Sequence, residues 1–220
     1  MTDDLSARLG KLDTCAVSDA LDRVGLAGVA LQLIALSSVR RIAGRAITVE
    51  LGPDDGRMTG RHLGTAAVEA AGPGDLIVVA NDGRIDVGGW GGILSLGASL
   101  RGVEGVVIDG ACRDVDEARD LDLPVYARAG VARTARGRIV ERAWNVPITI
   151  CGIALVPGDY VLADASGVVF VPEAIALDVI ADAELIVAKE AGMAKALRRG
   201  DPISAVMGAN YETMLQGAPD

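Results

Sequence analysis

The sequence is poor in most of the residue types that announce a function. It holds one histidine, His62. That excludes metal sites built on histidine clusters and leaves any Ser-His-Asp triad resting on a single residue. It holds three cysteines, Cys15, Cys112 and Cys151, with no C-x-x-C pair. Neither a disulfide framework nor a structural zinc site is expected, and a reducing cytoplasm fits. Lys and Arg number 21 against 30 Asp and Glu, for a net charge of −9, and no basic cluster interrupts the excess. Nucleic acid and anionic membrane are therefore poor partners. No apolar run approaches the roughly 20 residues of a membrane span. The opening MTDDLSARLGKLD is too acidic and polar for a signal peptide.

Aromatics are scarce too: two Trp, three Tyr and one Phe in 220 residues. Half of the chain is nonetheless apolar, and 28 residues are glycine. The core must be made of Ala, Val, Leu and Ile, with many tight turns. The length suits one domain over residues 1–220.

Periodicity then places the elements. In TCAVSDALDRVG, Val17, Ala20, Leu21 and Val24 form a helical stripe, with Thr14 suited to cap its start and Gly25 its end. RIAGRAITVEL alternates as a strand. Met58 to Ala71 reads as a helix stopped by Gly72-Pro73-Gly74-Asp75. Leu76–Ala80 is a continuous apolar run, the mark of a strand buried on both faces. A glycine-rich loop, NDGRIDVGGWGG, leads into a short helix striped by Ile93, Leu96, Gly97 and Leu100. Val103–Asp109 is a strand, Gly110–Asp114 a turn, Val115–Leu121 an acidic helix and Pro124–Ala129 a strand. This is β-α-β-α-β order. PITICGIALVPGDYVLADASGVVFVP reads as an antiparallel meander, and a long helix follows from Glu173 to about Arg199.

Parallel β-α-β units gather ligands beyond the carboxyl ends of their strands. Two loops leave such ends, 81–92 and 110–114. The first feeds a helix at Gly92, Ile93 and Leu94, whose free N–H groups suit an anion. The second carries Arg113, a planar fork for a carboxylate or enolate oxygen, beside Asp114, a hard oxygen ligand for Mg²⁺ or Mn²⁺. A 2-oxo acid would fit, its carboxylate on the helix start and its keto oxygen on Arg113 and a metal. Retro-aldol cleavage and decarboxylation both follow, since each releases a pyruvate enolate. His62, Cys112, Trp90 and Asp19 receive structural readings only.

The run WGGILSLGASLRGVEGVVIDGACRDVDEARDLDLPVYARA resembles the RraA-like family, which includes class II 4-hydroxy-4-methyl-2-oxoglutarate / 4-carboxy-4-hydroxy-2-oxoadipate aldolases. The likeness runs from Thr14 to about Gly200. It implies a compact single α/β domain of the swivelling β/β/α type with flanking terminal helices, assembled as trimers or hexamers with sites between subunits. It implies a Mg²⁺ or Mn²⁺ ion on Asp114, substrate contact by Arg113, and carboxylate binding by the amides at Gly92, Ile93 and Leu94. It further implies an acidic residue from a neighbouring subunit's C-terminal helix acting through metal-bound water, best matched by Glu190. One departure stands out. The aldolases carry Asp twenty-one positions before the Arg, and this chain has Gly92 there. Asp82 and Asp86 are the nearby candidates to replace it. The reading is thus a metal-dependent lyase on a 2-oxo acid. Its rivals are a non-catalytic binding protein of the same fold and a divergent metal enzyme in which Gly92 makes room for another acid.

Overall fold

The computed structural model describes residues 4–56 and 60–208. In chain order the first elements are α1 (Asp4–Leu9), α2 (Thr14–Arg23), β1 (Val29–Ala30), β2 (Ile34–Ala35) and β3 (Ile42–Pro53). Then come α3 (Thr65–Ala70), β4 (Asp75–Trp90), α4 (Gly92–Leu100), β5 (Gly105–Cys112), α5 (Val115–Asp120) and β6 (Val125–Gly130). The remainder is β7 (Ile139–Trp144), β8 (Ile148–Ile150), β9 (Ile153–Leu155), β10 (Tyr160–Asp164), β11 (Gly167–Val171), α6 (Ala176–Arg198) and α7 (Ile203–Val206).

One mixed sheet runs β1-β11-β10-β3-β4-β5-β6-β2, with β7 added against β3, and β8-β9 is a separate hairpin. The four central strands β3 to β6 are parallel; the flanking ones are antiparallel. The sheet cannot be flat. Eight strands side by side would span about 34 Å. Yet β1 and β2, at opposite ends of the order, are joined by residues 31–33, a link that reaches about 14 Å at most. The sheet therefore curls until its ends meet.

That curl sorts the side chains. Leu76, Val78 and Ala80 point inward with Val107, Tyr126, Val161 and Phe170, and the β8-β9 hairpin adds Ile148, Ile150 and Leu155 to this inner core. Ile77, Val79, Val106 and Ile108 point outward, under α3, α4 and α5. A second outer core sets α1, α2 and α6 on β10 and β11. Both faces of β4 and β5 are thus covered, which is why Leu76–Ala80 has no polar alternation. Each of the buried Leu, Val and Ile side chains among them contributes roughly 1.5–3 kcal/mol relative to exposure.

Several sequence expectations are corrected. Residues 81–90 are not a loop: β4 continues through them, pairing Arg84, Gly88 and Trp90 with Gly110, Ala111 and Cys112 across three bulges. The pairing carries β5 to Cys112, so the turn shrinks to Arg113 and Asp114. Asp13, not Thr14, caps α2 by accepting from the Ala16 N–H; Thr14 instead binds Asp164 through its N–H and hydroxyl. Of the helix expected over 58–71, the described part is helical only from Thr65, because Gly64 at φ +78° breaks the backbone before it; Met58 lies outside the described residues. The stripe on α4 is reversed. Ile93 and Leu100 are 82% and 79% exposed, while Leu94, Ser95 and Ala98 face the sheet. Ser95 and Ala98 let α4 lie close with Leu94 packed beside them, and Ile93, Leu96 and Leu100 are left outside.

Candidate functional site

Parallel β4 and β5 put the start of α4 and the residues after Cys112 at one sheet edge, on the outer face. They share a cleft of about 240 Å³ walled by Trp90, Ile93, Arg113, Asp114, His62 and Arg136. Trp90 is held by its indole N–H, which donates to Ser95 Oγ at 3.0 Å.

Asp114 has the left-handed backbone φ +55°, ψ +42°, which Asp tolerates better than most residues. It stands before α5 but makes no side-chain cap to it. The carboxylate turns the other way, and Oδ2 accepts the Gly92 N–H at 3.0 Å. Arg113 Nε donates to the same carboxylate at 3.1 and 3.2 Å. Among the described residues the Arg113 Nη groups have no hydrogen-bond partner, which leaves the outer edge of the fork to the cleft. Gly92 thus spends its N–H on Asp114, while the Ile93 and Leu94 amides sit in the first turn of α4, without acceptors of their own in the helix.

The glycines here are space, not turns. A β-carbon at Gly88 or Gly91 would lie 3.1 Å from the Arg113 stem. At Gly92 it would fall 1.7 Å from Glu117 Oε2 and 3.2 Å from Asp114 Cβ. Glu117, on α5, thus fills the volume that a side chain at 92 would take. The sequence reading passed over it. Asp82 and Asp86 do not stand there: Asp82 lines a separate cleft and Asp86 pairs with Arg84.

Glu190 is not brought to this cleft within the chain. It belongs to α6, on the α1-α2 side of the sheet. Burial pushes its carboxyl above the ordinary range, and the charges of Asp13 and Asp19 add to that. His62 precedes α3 and reaches the cleft wall, its Nδ1 2.9 Å from the Leu63 carbonyl oxygen. Cys112 is buried, and burial pushes its thiol up to about 12, with the Asp114 charge a second cause. It is no nucleophile at neutral pH. Among the described residues no group of three or more His, Cys, Asp or Glu side chains is placed to hold a metal.

At the same sheet edge, on the inner face, Asp109 is buried between the Arg128 guanidinium and the Cys151 N–H, which donates to Oδ2 at 2.8 Å. Arg128 also donates to Gln32 and to Cys151 Sγ. This cluster ties β5 and β6 to the β8-β9 turn and to the link between β1 and β2.

Curled mixed sheet, helix start and Arg-Asp pair at one edge together define an α/β protein with a small polar cleft at the ends of its parallel strands. The chain belongs to the RraA-like family, whose model (Aldolase/RraA) matches residues 14–170. Protein DlpA of Legionella pneumophila is 30% identical over 76% of this chain, a match that spans 27% of that protein's length. A Halalkalibacterium halodurans protein named "Putative 4-hydroxy-4-methyl-2-oxoglutarate aldolase" is 30% identical over 77% of each chain. The crystal structure of an uncharacterized protein from Pseudomonas syringae superposes with a TM-score of 0.84 at 30% identity, covering 93% of this chain and 96% of that one. Among the described residues no helix is long and apolar enough to cross a membrane.

Proposed function

We propose that the protein is a divalent-metal-dependent carbon–carbon lyase acting on a 2-oxo acid. Its main reaction is retro-aldol cleavage of a 4-hydroxy-2-oxo acid to pyruvate, with oxaloacetate-type decarboxylation as a side reaction. The observation that carries this reading is the convergence on one small cleft of the Arg113 fork, the free amides of α4 and the Asp114 carboxylate.

In this reading the substrate carboxylate lies on the Ile93 and Leu94 N–H groups, favoured by the helix dipole. The keto oxygen takes the Arg113 Nη donors, which bind more strongly as negative charge develops. The C4 hydroxyl gives up its proton to water, the C3–C4 bond breaks, and its electron pair passes into the C2 carbonyl. The resulting enolate takes a proton at C3 and leaves as pyruvate, while C4 departs as a carbonyl. Trp90 and Ile93 give the cleft its apolar wall. Asp114 suits Mg²⁺ or Mn²⁺: it is a hard oxygen donor with lone pairs left after its bonds to Gly92 and Arg113. Such an ion, when bound, would supply positive charge to balance the developing enolate. The part expected of Glu190 requires a neighbouring copy of the chain. A homotrimer or homohexamer therefore belongs to the proposal, and the exposed Ile93, Leu96 and Leu100 offer apolar surface for it.

The test is pyruvate release from a panel of 4-hydroxy-2-oxo acids and CO₂ release from oxaloacetate, each with Mg²⁺, Mn²⁺ or a chelator. Metal-dependent turnover of at least one substrate is expected. No turnover of any, with either ion, would overturn the lyase reading and leave a binding protein.

A further inference from the structure

We propose that His62 is the general base of the carbon–carbon cleavage, its Nε2 taking the proton of the C4 hydroxyl through the water that first accepts it. This rests on the lyase reading above and names the side chain at which that proton comes to rest.

Three observations carry it. The first is the tautomer. His62 Nδ1 lies 2.9 Å from the Leu63 carbonyl oxygen. A carbonyl oxygen can only accept, so the hydrogen of the neutral ring is on Nδ1. Nε2 keeps its lone pair, and it has no partner among the described residues.

The second is placement. The His62 carbonyl accepts the Thr65 hydroxyl at 2.7 Å, and the Gly64 N–H donates to the Glu141 carboxylate at 2.7 Å. Together these bonds fix the turn that carries the imidazole. Gly64 sits so close to the cleft wall that a β-carbon on it would meet Leu94 Cδ1 at 3.1 Å and Trp90 Cζ3 at 3.3 Å. That close approach sets the turn on the rim of the cleft, where His62 joins Arg113 and Asp114 in the lining.

The third is the shortage of other proton acceptors. Gly88, Gly91 and Gly92 bring no side chain to the cleft, and Arg113 and Arg136 have no lone pair to offer. Asp114 already accepts the Gly92 N–H and the Arg113 Nε–H, and in the lyase reading it also faces the cation. Among the described residues that line the cleft, His62 is the remaining side chain able to take a proton near neutral pH.

The step balances. The C4 O–H bond breaks and an N–H bond forms at Nε2, leaving an imidazolium. The C3–C4 electron pair passes into the C2 carbonyl. The imidazolium then returns its proton through water to C3 of the enolate, and pyruvate leaves with the ring neutral again. Oxaloacetate has no C4 hydroxyl, so its decarboxylation has no use for this base.

The experiment compares the two reactions in the full chain with Mg²⁺ present: pyruvate release from 4-hydroxy-2-oxo acids and CO₂ release from oxaloacetate. His62→Gln keeps a donor for the Leu63 carbonyl and removes the base. It should melt as the parent does and lose about a hundredfold or more in kcat for retro-aldol cleavage, with KM little changed. Its decarboxylation of oxaloacetate should stay close to the parent rate. His62→Ala should behave alike, and added imidazole should restore its cleavage. If both variants cleave as fast as the parent while Arg113→Lys is slowed, His62 has no part in the reaction and the lyase reading stands without it. If cleavage is lost and imidazole does not restore it, or decarboxylation is lost to the same extent, His62 only shapes the cleft and the inference is overturned. If the parent turns over no substrate of either kind, the lyase reading falls and this inference falls with it.

Discussion

The backbone N–H of Gly92 donates to Oδ2 of Asp114, 3.0 Å away and 22 residues further along the chain. The bond locks the start of α4 to the turn after β5, and it is made by a residue in left-handed backbone. Asp114→Ala should lose that acceptor, about 1 kcal/mol, and place alanine in a region that costs it about 1 kcal/mol more. Asn keeps an acceptor and tolerates the same backbone. Urea denaturation should therefore show Asp114→Ala about 2 kcal/mol less stable than the parent and Asp114→Asn much closer to it. Both should lose metal-dependent turnover. Equal stability of the two would show that the bond is not made in solution.

Arg113→Lys retains the charge and the aliphatic stem over Gly88 and Gly91 but replaces the fork by a single ammonium. We expect kcat/KM to fall at least tenfold, or about 1.4 kcal/mol of transition-state stabilisation, with little change in melting temperature. Undiminished turnover would make Arg113 a surface charge.

Arg128→Met should be among the more damaging single changes on the inner face. It leaves Asp109, only 5% exposed, without its cation. Breaking a buried pair by removing one partner typically costs about 3 kcal/mol. Replacing both, as Asp109→Asn with Arg128→Met, should recover part of that in urea titrations. A single variant as stable as the parent would mean the pair adds nothing.

Acid stability should depend on Asp164. Burial alone would raise its carboxyl, but the Thr14 N–H, the Thr14 hydroxyl and the Ser166 N–H all donate to it and hold it below the ordinary range. A depressed folded value adds stability that is fully present above the unfolded value, near 4, and is lost as pH falls through the folded one. The difference in unfolding free energy between the parent and Asp164→Asn should be largest at neutral pH and shrink below about pH 4. A difference constant from pH 7 to pH 3 would contradict this.

The centre of the sheet was legible in the sequence because β4 and β5 are buried on both faces and carry unbroken apolar runs, while β3 alternates as a half-buried strand does. The Arg113-Asp114 pair and the helix start at Gly92 were legible as candidates because parallel strands place them at one edge. The glycine-rich segment was not, since glycine signals turns when read alone. Gly88, Gly91 and Gly92 instead clear room for Arg113, Asp114 and Glu117, which depends on contacts some twenty residues away. Glu117 left one trace, the D-x-x-E spacing of Asp114 and Glu117, but that spacing ordinarily means a helix cap. The apolar stripe of α4 faces outward because Leu94, Ser95 and Ala98 take the sheet side, which periodicity alone does not distinguish from the face of Ile93, Leu96 and Leu100. The closing strands β1 and β2 span two residues each, too short for any periodicity.

That closure has a consequence for how the molecule is made. β1 pairs only with β11, Val29 opposite Val169. As a chain leaves the ribosome, Val29 emerges long before its partner exists. The first helices and the parallel strands β3 to β6 can gather as they appear, but the last seam waits for a segment near the end of synthesis. Contacts this distant in sequence slow folding and prolong the exposure of apolar surface. Until the seam closes, the facing edges of β1 and β11 are open to strands of another chain.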